Sequence, residues 1–234
     1  MRKLTALFLV LALVLGASAA LADQTITVTG SGETLVTADT AVVSLGVSVR
    51  KADALKAQSA ANEVIARIRE ALTGAGFNEE DISTGYINLY TVYNYNDLSG
   101  EESVSAYNAS STLAVRVTDM ARVGEVIDLA FAAGANTLDG VSFSVSDDAA
   151  ARAESLKAAV ADAKEKAGIL AEAAGLGELE IVGIQEGNVY SYDSGVNNFS
   201  MKTMAAEEAM GAPTVVRAAK ITVSAAVTIT FKVK

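Results

Sequence analysis

The sequence predicts an α+β fold, in which a mainly antiparallel sheet is backed by helices. Segments with alternating apolar residues occur along the whole chain, and three longer segments have the apolar periodicity of a helix. These segments follow one another as strand, helix, strand and strand, and this order recurs. We therefore predict two β-α-β-β-like halves, at about 42–117 and 141–233, that are joined by a helix.

The first 22 residues have the composition of a secretory signal peptide. Met1, Arg2 and Lys3 form a charged start, residues 4–16 are almost entirely apolar, and small residues precede Asp23. The apolar run is short for a membrane span, so we expect residues 1–22 to be removed on export, with cleavage after Ala22 or after Ala19. Residues 23–234 are expected to form one domain without a transmembrane segment.

The charge of the chain argues against two classes of partner. Its 18 basic and 28 acidic residues give a net charge of −10. Removal of the basic start of the signal would make the mature chain more acidic still. An acidic surface repels phosphate groups, so we expect no binding to nucleic acid and none to anionic lipid.

Two residue types are missing altogether. Without cysteine an exported chain has no disulfides, no thiol nucleophile and no residue for a lipid anchor. Without histidine it also lacks the usual general base and the usual ligand of transition metals. We therefore assign no catalytic residue, no cofactor site and no metal site, and we predict that the protein is not an enzyme.

Strands and helices alternate in the first half of the predicted domain. Residues 40–50 alternate apolar and small or polar side chains, which is typical of a strand with one buried face. Residues 52–72 have a helical stripe that ends before Gly74. Residues 82–93 and the segment around Leu113 read as strands, and Thr118 is the predicted N-cap of a helix that ends at Gly134.

The second half repeats this order with a longer helix. Residues 141–145 predict a short strand, and residues 148–174 predict a helix that is capped by Ser146 or Asp147. Its apolar stripe is narrow and rich in alanine. The predicted members of the stripe are Leu156, Val160, Ala163, Ala167, Leu170 and Ala174. Residues 179–192 and 220–233 read as strands, and the last one alternates strictly.

A glycine pair, Gly30 and Gly32, follows the first predicted strand. Such pairs bind phosphate where a helix follows, but Leu35 stands at the third glycine position and another strand follows. We therefore interpret the pair as a turn or bulge, and Asp39 as a residue that caps the next turn.

The order of several motifs resembles the SIMPL domain family of YggE-like proteins. GSGETLVTADTAVVSLGVSV is similar to the family's opening, although Ala38 stands where the family has proline. EEDISTGYINL and AAGANTLDGVSFSVSD are similar to later segments, and the resemblance covers residues 25–233. The matching positions, to which we give structural roles, include Gly30, Gly32, Asp39, Gly46, Asp81, Thr84, Gly134, Asn136 and Phe143.

The resemblance implies a compartment and a fold but no mechanism. Members of that family are mostly exported bacterial proteins of unestablished activity. Some are linked to oxidative-stress tolerance, and some relatives assemble into ring-like or channel-like oligomers. The resemblance therefore implies a periplasmic or secreted protein that forms homo-oligomers, with an unknown protein partner.

Two polar stretches predict contact loops. They are rich in tyrosine, asparagine and carboxylates, which suit either a protein contact or a calcium ion. The candidate residues are Tyr93, Tyr95, Asn96 and Asp97 in the first loop and Tyr190, Tyr192 and Asp193 in the second. The second loop continues to Pro213 with three methionines, which are interpreted as flexible filler.

Two functions therefore stand at this point. The first is a non-enzymatic envelope protein that self-associates and contributes to oxidative-stress tolerance. The alternative is a periplasmic module that binds a small molecule or calcium through the two tyrosine-containing loops.

Overall fold

The fold is described by a computed structural model, which covers residues 24–95, 101–193, 213–218 and 220–234. The predicted signal peptide and the methionine-containing loop lie outside this part of the chain. The strands are β1 Thr25–Thr37, β2 Thr40–Lys51, β3 Ile82–Tyr95, β4 Glu102–Val117, β5 Thr137–Ser144, β6 Leu179–Asp193 and β7 Lys220–Val233. The helices are α1 Ala54–Gly74, α2 Val123–Ala132 and α3 Ala149–Ala173.

The strands form two antiparallel sheets, which confirms the predicted α+β class. One sheet has four strands in the order β3-β4-β2-β5, and the other has three in the order β1-β7-β6. The chain divides into a unit of residues 33–155 and 189–224 and a unit of residues 24–32, 156–188 and 225–234. The two pseudo-repeat halves stay a prediction.

The core of the first unit lies between the four-stranded sheet and helices α1 and α2. Strand β2 buries Val43 and Leu45 as its alternation predicts, and Leu45 lies opposite Leu113 of β4. Helix α1 begins at Asp53, whose carboxylate accepts a hydrogen bond from the Lys56 backbone N–H at 2.9 Å. Its inward stripe includes Ile68 and packs on the sheet.

The N-cap predicted for α2 is wrong by one residue. Asp119, not Thr118, caps the turn, because its carboxylate accepts the Ala121 backbone N–H at 3.1 Å. One 3-10 turn follows, and the α-helix begins only at Val123. The end is as predicted, since Gly134 has a φ of +109° that other residues rarely adopt.

The core of the second unit lies between α3 and the three-stranded sheet. Strands β1 and β7 are antiparallel, and Thr27 and Thr29 pair their hydroxyls with those of Thr230 and Thr228 at 3.2 and 3.3 Å. The inward face of α3 in this unit is formed by Ala159, Ala163 and Ala167, which are fully buried. They pack against Val28, Val227, Ile229 and Phe231.

The predicted apolar stripe of α3 is only partly correct. Ala163 and Ala167 are buried as expected, but Leu170 is 49% exposed and Ala171 is buried in its place. The buried positions recur every four residues and hold the smallest side chains. Size therefore decides which side of this helix faces the sheet, because only alanine permits so close an approach.

The turn predicted at Gly30 is wrong. Gly30 and Gly32 lie within the continuous strand β1, and neither has a positive φ. A Cβ on Gly30 would overlap the Ala159 carbonyl oxygen and lie 2.6 Å from the Ala163 backbone nitrogen. Glycine is needed here because the helix backbone touches the strand, not because the chain turns.

Candidate functional site

The outer strand β3 of the four-stranded sheet exposes a row of large apolar and aromatic side chains. β3 ends the four-stranded sheet, and only β4 pairs with it there. Its sequence, ISTGYINLYTVYNY, is rich in residues that favour strands and contains no charge and no proline. Ile82 is its only fully buried residue. The exposed large side chains are Tyr86, Ile87, Leu89, Tyr90, Tyr93 and Tyr95.

Two irregularities shape this strand. The pairing of β3 with β4 shifts between Thr84 and Ile87 and again between Val92 and Tyr93. Gly85 lies at the first shift, where the Thr112 hydroxyl accepts a hydrogen bond from the Tyr86 backbone N–H at 3.0 Å. Between the shifts the strand is regular, so Ile87 and Leu89 face one side of the sheet and Asn88 and Tyr90 face the other.

The structure places the predicted contact tyrosines near the ends of strands, and β3 extends two residues beyond its predicted end to include Tyr95. Tyr93 and Tyr95 end β3 and are 54% and 68% exposed. Tyr190 and Tyr192 lie near the end of β6, and their rings stack with centroids 5.8 Å apart. Asp193 is the last residue of β6, but its side chain is outside the described part, as are Asn96 and Asp97.

The sequence reasoning missed the middle of β3. It predicted a strand at this place but not that Ile87 and Leu89 are 60% and 43% exposed. One sequence signal was present, since fourteen residues without a charge also lack the alternation of a strand with one buried face.

Asp39 accepts three hydrogen bonds at the turn between β1 and β2. Its carboxylate accepts hydrogen bonds from the backbone N–H and the hydroxyl of Ser146 at 2.8 and 2.7 Å, and from the Thr40 hydroxyl at 3.0 Å. These bonds, above all the one from the Ser146 hydroxyl, hold the pKa of Asp39 below its usual value. Asp39 thus ties the turn between β1 and β2 to the segment after β5, and all of its described partners are neutral donors.

Of four further family-motif positions, three make contacts that stabilise the fold. Asp81 binds Arg116 at 2.8 Å, and this hydrogen bond lowers the pKa of the carboxyl. The side-chain amide of Asn136 bonds both the N–H and the C=O of Ser48, at 2.8 and 2.9 Å, as a neighbouring strand would. Phe143 packs on the core of the four-stranded unit, while Thr84 is exposed on β3.

Gly46 is a second site of close approach. It lies in β2 opposite Thr112 of β4, and a Cβ there would overlap the Ser111 carbonyl oxygen. The position therefore requires glycine for packing, as Gly30 does.

The remaining carboxylates with altered pKa values are paired on the surface. Asp162 binds Lys166 at 2.7 Å and accepts the Ser31 backbone N–H at 2.7 Å, which lowers its pKa. Asp148 binds Arg152 at 2.6 Å, and this bond lowers the pKa of Asp148. Within residues 24–95, 101–193, 213–218 and 220–234, no three acidic side chains come together as a metal site would need. Over the same ranges no helix has the length and apolar character to cross a bilayer.

Curated relatives with sequence similarity come from several bacteria. The chain is 34% identical over 164 residues to the "26 kDa periplasmic immunogenic protein" of Brucella melitensis and equally to that of Brucella abortus. It is 29% identical over 133 residues to the "Uncharacterized protein YggE" of Escherichia coli K12. The matches cover 69% and 57% of this chain, but only 66% and 53% of those relatives. Less than two thirds of each relative's length is therefore spanned.

The family model that matches covers most of the chain. It is the SIMPL model, described as a protein of unknown function (DUF541), and it matches residues 26–231. These limits agree with the range over which the motifs resemble that family. The chain belongs to the SIMPL family, whose function is not established.

Proposed function

We propose that this protein is an exported SIMPL-family component of the bacterial envelope that acts by self-association, without catalysis. The observation that carries this proposal is the uncharged and apolar outer edge of β3, with which no other strand of the described residues pairs. Sheet edges of this kind pair readily with another strand unless charge, proline or distortion prevents it. A second copy of the chain is a partner that is present in the same compartment wherever the protein is exported.

Self-association is tested by size-exclusion chromatography with light scattering on residues 23–234. We expect a mass of at least twice the mass of one chain, and we expect this oligomer to persist at micromolar concentration. A monomer over the whole micromolar range would contradict the proposal. A calcium titration of the same sample tests the alternative function, for which heat of binding would be the supporting result.

Export is supported by the composition of residues 1–22 and by the word "periplasmic" in the name of the Brucella relatives. We express the full chain in a Gram-negative host and expect to find it in the periplasmic fraction. Its mass should be that of a chain that starts at Asp23. Recovery of the intact chain from the cytoplasm would contradict export.

The absence of catalysis is supported by the roles of the described carboxylates. Asp39, Asp81, Asp148 and Asp162 each accept hydrogen bonds that hold the fold together. No turnover is expected in a broad panel of hydrolase and transferase substrates. Turnover that disappears in Asp39→Asn while the circular dichroism spectrum is unchanged would overturn this part.

The proposed contribution to oxidative-stress tolerance rests on the family resemblance. A deletion strain should lose viability in peroxide, and the wild-type gene should restore it. If survival is the same with and without the gene, this part of the proposal is wrong, while self-association is unaffected.

A further inference from the structure

The four sheet edges among the described residues differ in charge. β3 and β5 end one sheet, and β1 and β6 end the other. Three of these strands contain carboxylates, and β3 does not. The carboxylates are Glu33 in β1, Asp139 in β5 and Glu180, Glu186 and Asp193 in β6.

The opposite edge of the same sheet is protected in two further ways. Strand β5 has eight residues, against fourteen in β3. Its pairing with β2 also slips at Asp139, so that Gly140 lies opposite Ser44 and Leu138 opposite Leu45. A short and charged edge with a bulge in its middle resists pairing with another chain. β3 also has register shifts, but residues 87–92 between them form a regular stretch without charge, which is open to pairing.

We propose that β3 pairs with β3 of a second copy in antiparallel orientation, across a two-fold axis, so that two four-stranded sheets become one of eight strands. This inference rests on the proposed self-association and names its surface and its symmetry. A two-fold axis perpendicular to a strand brings the same strand back antiparallel. The free N–H and C=O groups of one edge then meet the complementary groups of the same edge.

Charge favours β3 over the other edges as the place where two copies meet. Each copy carries a net charge of −10, and β3 is the edge strand that adds no charged residue to the contact. A basic partner would gain more from the carboxylates of β6 than from the neutral β3. Two copies of β6 would bring like charges together, while two copies of β3 bring none.

The side chains of β3 add apolar contact on both faces of the joined sheet. Ile87 and Leu89 would pack against side chains of the second copy on one face, and Tyr90 would do so on the other. Cross-strand pairs of aromatic and β-branched residues stabilise a sheet by about 0.2–1 kcal/mol each. Pairing along the regular stretch 87–92 therefore covers apolar side chains that the single copy leaves exposed.

The absence of cysteine from the chain makes a cross-linking test direct. Single variants Ile87→Cys, Asn88→Cys, Leu89→Cys, Tyr90→Cys and Thr91→Cys are oxidised in the otherwise cysteine-free protein. In a two-fold pair the residues nearest the axis lie opposite their own copies, at Cα separations of about 4.5–5.5 Å, which a disulfide spans. Ile184→Cys on β6 is the matched control, because Ile184 is 60% exposed, as Ile87 is.

We expect at least one β3 variant to run as a covalent dimer without reductant and as a monomer with it, and the β6 control to stay monomeric. Oligomers by light scattering without any β3 disulfide would overturn the inference and leave the proposed self-association standing. A disulfide that forms only between β3 and β6 variants, mixed before oxidation, would also overturn it. A monomer by light scattering would overturn both proposals.

A charge variant gives an independent test. Leu89→Lys places a cation on each strand near its own counterpart, and we expect the mass in solution to fall at least twofold. Ile184→Lys, the same kind of change on an equally exposed residue of β6, should leave the mass unchanged. Loss of association in Ile184→Lys, with normal association of Leu89→Lys, would contradict the proposal.

Discussion

Helix α1 on the four-stranded sheet and helix α3 on the three-stranded sheet are packed with side chains of very different size. Between α1 and its sheet the fully buried residues include large ones, among them Leu45, Ile68 and Leu113, although Ala57 and Ala61 near the start of the helix are buried too. Between α3 and its sheet the helix contributes alanine alone to the buried cluster, and the larger residues belong to β1 and β7.

The difference shows two ways to fill a helix–sheet interface. Large side chains keep the backbones apart, and each Å² of apolar surface that they bury stabilises the fold by about 25 cal/mol. Alanine buries little, so its stabilisation depends on close approach and on the many dispersion contacts that this allows. Gly30 makes the approach possible in the second unit, because any larger residue would meet the helix backbone.

The largest effect is expected from a cavity in the large-residue core. Leu113→Ala removes a fully buried side chain and should lower the free energy of unfolding by about 2–5 kcal/mol. Leu55→Ala is the control, since Leu55 is 77% exposed on α1 and should change stability by less than about 0.5 kcal/mol. Urea unfolding followed by circular dichroism measures both. An equal loss of unfolding free energy in the two variants would contradict the assignment of Leu113 to a core of large side chains.

Gly30→Ala tests the close approach in the second unit. The added methyl has to displace the helix backbone, so we expect a loss of about 3 kcal/mol, the upper end for overpacking. Gly183→Ala on β6 is the matched control, because the nearest atom to its Cβ would be the Thr230 Cβ at an ordinary 3.8 Å. That variant should be neutral or slightly stabilising. A tolerated Gly30→Ala would show that the helix is farther away than described.

Ala163→Gly measures what one alanine of the stripe contributes. The loss of a buried methyl group should lower the free energy of unfolding by about 0.8 kcal/mol, and the lower helix propensity of glycine by about 1 kcal/mol. The total expected loss is about 2 kcal/mol. Ala158→Gly on the exposed face of α3 should lose only the propensity. The difference between their urea midpoints isolates the packing contribution, and no difference would mean that the stripe contributes only propensity.

The smallest effect concerns one surface carboxylate in each unit, of which Asp39 is exposed and Asp162 half-buried. Folding lowers the pKa values of Asp39 and Asp162. Each ionised carboxylate therefore stabilises the fold at a pH above its unfolded-state pKa of about 3.8, and this stabilisation is lost as the pH falls below that value. Salt at about 1 M should weaken the Asp162–Lys166 ion pair, whereas Asp39 is bonded to neutral donors and should be nearly insensitive. Urea midpoints of Asp39→Asn and Asp162→Asn at low and high salt measure this. Equal salt sensitivity would contradict the assignment.

Much of the fold is readable from local patterns. The alternation in residues 40–50 and 220–233 predicts β2 and β7 and the apolar face that each buries, because a strand repeats every two residues whatever it packs against. It does not predict that Thr222 and Ser224, on the other face of β7, are buried too. The stripe of α1 and the end of α2 at Gly134 are predicted for similar reasons. The stripe of α3 is harder, because alanine is common on both sides of that helix and hydrophobicity alone does not choose between them.

The candidate surface was found only in part. Tyr93 and Tyr95 were singled out for their chemistry, but as loop residues, because the polar stretch after them hides the length of the strand. The exposure of Ile87 and Leu89 depends on which strand ends the sheet, and no local pattern encodes strand order.

The sequence by itself determined the α+β class, the family and most strands and helices, because each depends on residue types at short, regular spacings. Only the tertiary structure decided why Gly30 is glycine, which face of α3 is buried and that β3 is an edge strand of its sheet within the described part of the chain. Those facts depend on residues far apart in the chain, such as Gly30 with Ala159, which meet only when the sheets and helices have packed.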